Sequence, residues 1–368
     1  MVVDSYSRTL TVAGTLITIL LVQSCDSKSD NKSEYYGPED FVKVKKTDVH
    51  AHIYTSDTAL YAQGEKDNTS LISINVEVPG EPPIDSQQYF ALRQQQLSSG
   101  KVRWLATFGT GSINEHGWAD KELNRLKNSF DSGAVGIKVW KSIGMTVKDR
   151  TGKFIMIDDP VFDPIFNYLE ENNIPVLGHL GEPKNCWLPL EQMTTNNDRN
   201  YFKEHPEYHM FLHPEYPSYD TIIKHRDHLL ERHPKLKFIG AHLASLEWDV
   251  DEIAKRLDRY PNMAVETAER FGQLQYQSLA DYDKVRNFFI KYQDRIMYGT
   301  DFVIFENDNR DTVKQKAHAL WLRDWKYFTT GDSLQSAQIN NRFRGLLLPK
   351  EVVNKIYYEN AERWFVKK

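Results

Sequence analysis

Four short motifs, each at the end of a run that reads as a β-strand, constrain the fold of this chain most strongly. The motifs are Asp48-Val49-His50-Ala51-His52, Gly178-His179, Ala241-His242 and Gly299-Thr300-Asp301. Side chains two residues apart on a strand point the same way, so His50 and His52 can reach one ion. Neutral imidazoles together with a carboxylate suit zinc and similar divalent metals. The spacing therefore predicts a metal site where several strands end.

Eight strand-like runs recur along the chain, and several are nearly continuous apolar stretches, as expected for parallel strands buried on both faces. Helical patterns lie between them, over Val161–Glu171, Ser218–His233 and Trp248–Tyr260. This alternation predicts an α/β fold, a (β/α)8 TIM barrel over residues 41–368, with its site at the carboxyl ends of the strands. The predicted strands are Phe41–Ile53, Leu71–Val78, Val102–Phe108, Ala134–Val139, Ile174–Leu180, Lys237–His242, Asn262–Thr267 and Arg295–Asp301.

Two further segments of the predicted barrel stand out. The connection over about 183–220 is long and rich in aromatic residues and proline. A loop of this length is usually functional or disordered, and we interpret it as a lid with Trp187, Tyr201 and Tyr216 as wall residues. The alternative is an ordered surface insertion with no part in catalysis. The segment Lys350–Phe365 is predicted to be a closing helix that packs on the barrel through Ile356, Tyr357, Asn360, Ala361 and Trp364.

The N-terminal segment precedes the predicted barrel. An apolar run from Thr11 to Val22, too short to span a bilayer, leads to Ser24-Cys25 and resembles the lipobox of bacterial lipoproteins. The resemblance implies a signal peptide over residues 1–25, lipidation of Cys25 and a polar tether over 26–40. The expected location is the bacterial cell envelope, on its periplasmic or cell-surface face, with the lipid bilayer contacted through the anchor only. A simple membrane anchor and a buried helix are the alternatives.

Composition excludes some classes of partner. The net charge of −5 argues against a nucleic-acid partner. Apart from Cys25 the only cysteine is Cys186, so the mature chain would form no intramolecular disulfide. A small-molecule substrate is the expected partner, and the sequence does not specify the oligomeric state.

At the four motifs the chain resembles the amidohydrolase superfamily, and within it the amidohydrolase-related group of decarboxylases, lactonases and hydratases. The matching motifs are Asp48-Val49-His50-Ala51-His52, Gly178-His179-Leu180-Gly181, Gly240-Ala241-His242-Leu243 and Tyr298-Gly299-Thr300-Asp301, and the resemblance extends from Lys45 to Phe365. It implies one divalent metal, with zinc expected, held by His50, His52, His179 and Asp301. It also implies that Asp301 accepts a proton from water and that His242 polarises or protonates the substrate.

Lys138, at the end of the fourth predicted strand, leaves the number of metals open. Two-metal members of the superfamily carry a carboxylated lysine there, and His179 and His242 would then bind the second ion. We favour a plain ammonium that pairs with a substrate carboxylate. A lysine that only extends along the barrel rim, as also considered for Lys141, is the third interpretation.

Weaker candidates for substrate binding are the aromatic residue after Lys138 and three charged residues near strand ends, each of which could equally belong to a rim ion pair. They are Trp140, Glu182, Glu266 and Arg270.

The sequence thus favours a metal-dependent hydrolase that cleaves a small lactone, ester or amide. The first alternative is a non-oxidative decarboxylase of a small carboxylic acid. The second is a catalytically silent lipoprotein that binds a metal or a substrate, because fold alone does not fix function.

Overall fold

A computed structural model describes residues 34–365 of the 368-residue chain. The predicted signal peptide, the proposed lipidation site Cys25 and the first part of the tether lie outside the described residues. Among residues 34–365, no helix combines the length and the apolar character needed to cross a membrane.

Eight parallel strands form the barrel. They pair in two ladders, β1 to β3 and β4 to β8. Contacts on both sides join these ladders: on one side Ala106 bridges Ile137, and on the other the Val49 N–H donates to the Tyr298 carbonyl at 3.0 Å. The sheet therefore closes, and the predicted (β/α)8 fold is confirmed. The strands are β1 Lys46–Tyr54, β2 Thr69–Ile74, β3 Val102–Leu105, β4 Ile137–Val139, β5 Val176–Gly178, β6 Phe238–Gly240, β7 Met263–Glu266 and β8 Ile296–Met297.

The last predicted strand, Arg295–Asp301, is wrong in its extent. After β8 the chain leaves the ladder, and Asp301 adopts a φ of +65°, which a strand residue does not. A further strand, β9 (Phe302–Phe305), then pairs with β1 beside the barrel mouth. A small antiparallel hairpin of β10 (Ser333–Leu334) and β11 (Phe343–Arg344) lies apart from the barrel sheets.

Helices follow most of the strands, and the predicted ones are found with shifted ends. Ser218 caps α6 by accepting from the Thr221 N–H at 3.2 Å, and α4 is preceded by a 3-10 turn over Pro160–Phe162. The helices are α1 Ala59–Lys66, α2 Ile84–Leu97, α3 Trp118–Asp131, α4 Asp163–Glu171, α5 Asn196–Glu204, α6 Tyr219–Arg232, α7 Val250–Arg259, α8 Phe271–Ala280, α9 Tyr282–Lys291, α10 Arg310–Thr329, α11 Lys350–Asn354 and α12 Asn360–Phe365.

The C-terminal segment closes the barrel as predicted. A π-helical turn over Lys355–Glu359 joins α11 to α12, and all five side chains expected to pack on the barrel are buried. Trp364 and Phe365 belong to the same apolar cluster as strand residues of the barrel interior, such as Val49 and Leu177. The interior of the barrel is therefore completed by the end of the described chain.

The start of the described chain corrects two predictions. Residues 34–40 are not part of a free tether, because Tyr36 packs 5.6 Å from the ring of Trp325 and Lys350 N–H donates to the Glu34 carbonyl. The first strand begins at Lys46 rather than at Phe41. The apolar run that suggested an earlier start instead forms a turn whose Phe41 side chain is buried in the core.

Candidate metal centre

Three polar side chains of β1 share one face of the strand. His50, His52 and Tyr54 alternate along it, and the Tyr54 hydroxyl lies 2.9 Å from His52 Nδ1. When that nitrogen donates to the hydroxyl, His52 Nε2 keeps the lone pair that a metal ligand needs. Sequence reasoning missed Tyr54, although its position two residues after His52 was a signal that could have found it.

Asp301 meets both histidines of β1. Its Oδ1 lies 3.2 Å from His50 Nε2 and 3.1 Å from His52 Nε2. Its own N–H donates to the His50 carbonyl at 2.7 Å, which fixes the loop after β8 against β1. Burial alone would raise the pKa of Asp301, but the positive charge that a protonated His50 carries and the close contact with both histidines hold that pKa well below its usual value. The carboxylate is therefore ionised.

Asp48 of β1 holds the loop after β8 against that strand through hydrogen bonds. Its buried carboxylate accepts from the Thr300 N–H at 3.0 Å, the Thr300 hydroxyl at 2.5 Å and the Trp321 indole N–H at 3.1 Å. Burial raises the pKa of Asp48 to about 6, and these hydrogen bonds limit the rise. In the sequence Asp48 stands out only as the first residue of a motif. In the structure it positions Thr300, the residue before Asp301.

Glu266 orients two histidines and does not line the site, which corrects its predicted role in substrate binding. Its Oε1 accepts from His50 Nδ1 at 2.9 Å and from the His242 N–H at 2.7 Å. Its Oε2 accepts from the Ala268 N–H at 2.6 Å. Because a carboxylate can only accept here, His50 carries its proton on Nδ1, and Nε2 is left as a ligand atom. The position of Glu266 at the end of a strand does not indicate, from the sequence, that its partners are histidines.

His179 and His242 face each other at the ends of β5 and β6. Their ring centroids are 4.2 Å apart in an edge-to-face arrangement, and His179 Nε2 is buried with no hydrogen-bond partner among the described residues. Burial lowers the pKa of both rings well below the ordinary value, and repulsion between the charges that the two rings would carry if both were protonated lowers that of His179 further. Both imidazoles are therefore neutral.

The proton position on His242 follows from its partners. Nδ1 lies 3.0 Å from the Ala268 carbonyl, which can only accept, so this nitrogen carries the proton. Nε2 then has a free lone pair and lies 3.9 Å from Asp301 Oδ2. His242 can accept a proton directly, whereas acting as an acid requires that it first be protonated.

The backbone that carries His242 is unusual. His242, Leu243, Ala244 and Ser245 all adopt left-handed conformations, with φ of 56°, 56°, 60° and 53°. Each non-glycine residue costs roughly 1–2 kcal/mol in this conformation. We call these four residues the left-handed turn. Their backbone conformation is kept only if surrounding contacts stabilise it.

Lys138 reaches the same point from β4. It is fully buried, and its Nζ lies 3.2 Å from His50 Nε2. Burial lowers the pKa of Lys138 to about 8, although Asp301 and Glu266 favour its charged form. The ammonium therefore competes with a metal for the lone pair of His50 Nε2.

These groups surround a cavity of about 160 Å³ at the barrel mouth. Glu81 and three valines complete a wall that sequence reasoning missed. Burial and the nearby charge of Asp301 raise the pKa of Glu81. The lining residues are His50, His52, Tyr54, Val76, Val78, Glu81, Lys138, Trp140, Lys141, His179, His242, Asp301 and Val303.

Besides Glu266, two tentative substrate-binding residues lie outside this wall. Glu182 forms an ion pair with Lys141, so it contacts a lining residue and does not line the cavity itself. Arg270 is buried, and its guanidinium donates to the Glu269 carbonyl at 2.9 Å. Of the tentative set, only Lys138 and Trp140 line the cavity.

The predicted lid residues do not line the cavity either. The Tyr201 ring is 43% exposed, the Tyr216 ring packs 5.4 Å from Phe154, and the Trp187 ring packs 5.5 Å from Tyr219. The insertion folds into α5 and several 3-10 turns, and its buried residues, which include Cys186, form a small apolar cluster with Met145 and Ile222. A wall made of these three aromatic residues is therefore wrong.

The donor set fits a divalent metal. His50, His52 and Asp301 each offer one ligand atom, and these atoms lie within 4.8 Å of one another. The orphaned Nε2 of His179, in the same cavity, is a fourth candidate because a buried acceptor without a partner is rare. Two or three imidazoles with a carboxylate are the ligands that zinc and related ions take in catalytic sites.

Several solved structures are similar to this chain at low sequence identity. The structure is similar to 2,6-dihydroxybenzoate decarboxylase from Rhizobium, with 16% identity and a TM-score of 0.50 over 88% of this chain and 98% of that chain. An uncharacterized TIM-barrel protein from Bordetella bronchiseptica gives 15% identity and a TM-score of 0.48 over 87% and 98%. A 5-carboxyvanillate decarboxylase from Sphingomonas paucimobilis gives 12% and 0.45 over 88% and 99%. No curated protein matches the chain.

A family model described as Amidohydrolase matches residues 115–366, which include Lys138, His179, His242 and Asp301. His50 and His52 precede the matched residues, and the closed barrel brings them to the same cavity. The chain therefore belongs to the amidohydrolase family and is an enzyme.

Proposed function

We propose that this enzyme is a zinc-dependent hydrolase that cleaves a small lactone, ester or amide. The convergence of His50, His52 and Asp301, with ligand atoms within 4.8 Å of one another, carries the proposal. His179 would be the fourth ligand. A cavity of about 160 Å³ leaves room for a small reacting group only.

The chemistry divides between the metal and the protein. A bound divalent ion lowers the pKa of water and polarises a carbonyl. Asp301, ionised and beside both β1 histidines, is placed to accept the proton of the attacking water and to pass it to the leaving group. His242 Nε2, 3.9 Å from Asp301 Oδ2, can share that proton and then stabilise developing negative charge. Glu266 keeps His50 in the tautomer that the site needs.

A decarboxylase is the second candidate, and Lys138 favours it. A buried ammonium in the cavity beside His50 can pair with a substrate carboxylate. In this reaction the carbon–carbon bond breaks and carbon dioxide leaves, and His242 or Asp301, after taking a proton from solvent, would deliver that proton to the carbon that carried the carboxylate. The Rhizobium protein of the same fold is itself a decarboxylase, so both reactions are included in the test.

Metal content and an activity panel test the proposal. Protein purified without chelator should contain about one zinc ion per chain, given a site of three histidines and one carboxylate. His50→Ala/His52→Ala should lose that metal, whereas the control His225→Ala/His228→Ala, a surface pair on Asp158, should keep it. Wild-type metal in the first variant would overturn the site.

The panel contains lactones, esters, amides and small carboxylic acids. Acid release from an ester, lactone or amide supports the hydrolase, and carbon dioxide release without water consumption supports the decarboxylase. A fully metal-loaded protein that converts none of them would contradict both reactions and leave a silent binding protein.

A further inference from the structure

We propose that Tyr219 and Arg226 of α6 are positioning residues that hold the left-handed turn and so aim His242 into the cavity. We further propose that Trp187 connects the insertion over 183–220 to this arrangement. The insertion then acts on the site from outside its wall.

Tyr219 contacts the turn through its hydroxyl group. The hydroxyl donates to the Ser245 carbonyl at 2.5 Å and accepts from the Trp248 indole N–H at 2.8 Å. The Tyr219 side chain is buried, so water does not replace these bonds easily. One phenol therefore joins the last residue of the left-handed turn to the chain three residues later.

Arg226, two turns further along α6, contacts Ala244, the residue before Ser245. Its guanidinium donates to the Ala244 carbonyl at 2.5 Å and to Asp227 Oδ1 at 3.0 Å and 2.6 Å. The side chain is almost completely buried. A charged donor makes a stronger hydrogen bond than a neutral one, and Asp227 offsets the buried charge. Successive carbonyls of the left-handed turn thus accept hydrogen bonds from two side chains of one helix.

The turn needs such contacts because its own backbone conformation is unfavourable. The Ser245 hydroxyl adds a bond to the Gly181 carbonyl at 2.9 Å, and Glu266 accepts from the His242 N–H at 2.7 Å. Glu266 fixes the start of the turn, while Tyr219 and Arg226 fix its end. Releasing the end would let the strained residues relax and swing the imidazole of His242.

The insertion reaches this arrangement through aromatic contacts. The Trp187 ring meets the Tyr219 ring edge-to-face at 5.5 Å. Lys184 Nζ lies 3.5 Å from the centroid of the Trp248 ring and 5.8 Å from that of Tyr219. The first 3-10 turn of the insertion, Lys184–Trp187, therefore packs on Tyr219, which holds the left-handed turn, and on Trp248, which is hydrogen-bonded to Tyr219.

Amide hydrogen exchange of the full-length protein tests the proposal independently of catalysis. Tyr219→Phe should accelerate exchange in the peptide 240–248 by about tenfold, the effect of one lost hydrogen bond. The matched control is Tyr327→Phe, which removes another buried hydroxyl, 3.0 Å from Ser278 Oγ, and should leave this peptide unchanged. If Tyr219→Phe does not fold, Arg226→Lys replaces it as the test variant. Trp187→Leu should accelerate amide exchange in the same peptide by a smaller factor.

Kinetics then separate positioning from simple stabilisation, and this part rests on the proposed function. With a substrate from the panel, Tyr219→Phe should lower kcat at unchanged KM and metal content, while Tyr327→Phe should lower only the resistance to urea. Unchanged exchange in peptide 240–248 for Tyr219→Phe and Arg226→Lys would overturn the proposal. If exchange accelerates but no variant shows activity, the positioning role is supported. The same result would contradict the proposed reaction.

Discussion

Asp301 combines a partly buried position among histidines with a pKa well below its usual value. An ionised carboxylate in this position is suited to take a proton from water. Asp301→Asn keeps the shape of the side chain but removes the base, so turnover should fall by roughly 10²–10⁴-fold. Turnover and metal content of the same preparation check this. Wild-type turnover at full metal occupancy would refute the proton-transfer role.

Glu266 determines which nitrogen of His50 faces the cavity. Glu266→Gln places an amide group between His50 Nδ1 and the backbone N–H groups of His242 and Ala268, and one amide oxygen cannot accept from all three. Metal affinity should fall by about 10–100-fold, the usual effect of losing such an orienting carboxylate. Competition with a chromophoric chelator measures it. Glu182→Gln, which alters a carboxylate paired with Lys141, is the control and should bind metal like the wild type.

Lys138 decides between one metal and two. If it is an ammonium that faces the substrate, Lys138→Ala should leave the metal content unchanged and weaken turnover of acidic substrates. If it is carboxylated and bridges two ions, the same change should remove metal, and bicarbonate should be required for reconstitution. Lys141→Ala removes a neighbouring ammonium and is the comparison. Two metals per chain in the wild type would contradict our preference for the ammonium.

Residue types and their order predicted the components of the site better than their roles. His50, His52 and Asp301 come together because strand ends of a parallel barrel converge. Glu266 was misassigned because its partners, His50 and His242, are distant in sequence or bonded through the backbone. The left-handed turn gave no signal either, since none of its four residues is the glycine that usually marks this conformation.

At the scale of elements, the insertion is hydrogen-bonded to the barrel through an ionisable group, the Glu247 carboxyl. Glu247 accepts from the Lys184 N–H at 2.8 Å and is almost completely buried. Burial raises the pKa of Glu247 to about 7. The folded state therefore binds more protons than the unfolded state between the ordinary carboxyl pKa and pH 7. Stability from this group is present at acid pH and is lost as the pH rises through 7.

Glu247→Gln should remove this dependence, because the amide still accepts from Lys184 but does not ionise. The variant should exceed the wild type in free energy of unfolding by about 2–3 kcal/mol at pH 8 and by little at pH 5. Urea unfolding at both pH values measures the difference. Parallel stability curves for the two proteins would show that the carboxyl does not titrate in this range.

Element boundaries were less predictable than element types. Apolar runs locate the strands because parallel strands are buried on both faces. The same runs continue into turns, as at Phe41, where the side chain is buried although the backbone has left the strand. The length and aromatic content of the insertion predict a lid, but these features do not distinguish the wall of a cavity from a small apolar cluster at the side of the barrel.

At the scale of the whole molecule, the barrel was predictable from the alternation of strands and helices, and the family match agrees with it. The lipid anchor remains a proposal. If Cys25 is lipidated, fractionation of the native host should place the protein with membranes, and Cys25→Ser should move it to the soluble fraction. A Cys25→Ser protein that stays with membranes after the same processing would contradict the anchor.

The closure of the barrel interior by α12 bears on how the chain folds. Trp364 and Phe365 share a cluster with Val49 of the first strand, and β9 pairs with β1 across about 250 residues of sequence. Neither set of contacts exists until synthesis has almost finished. During synthesis the first strand therefore lacks these partners until the last segments of the described chain have emerged from the ribosome, and it remains an unpaired edge for most of that time.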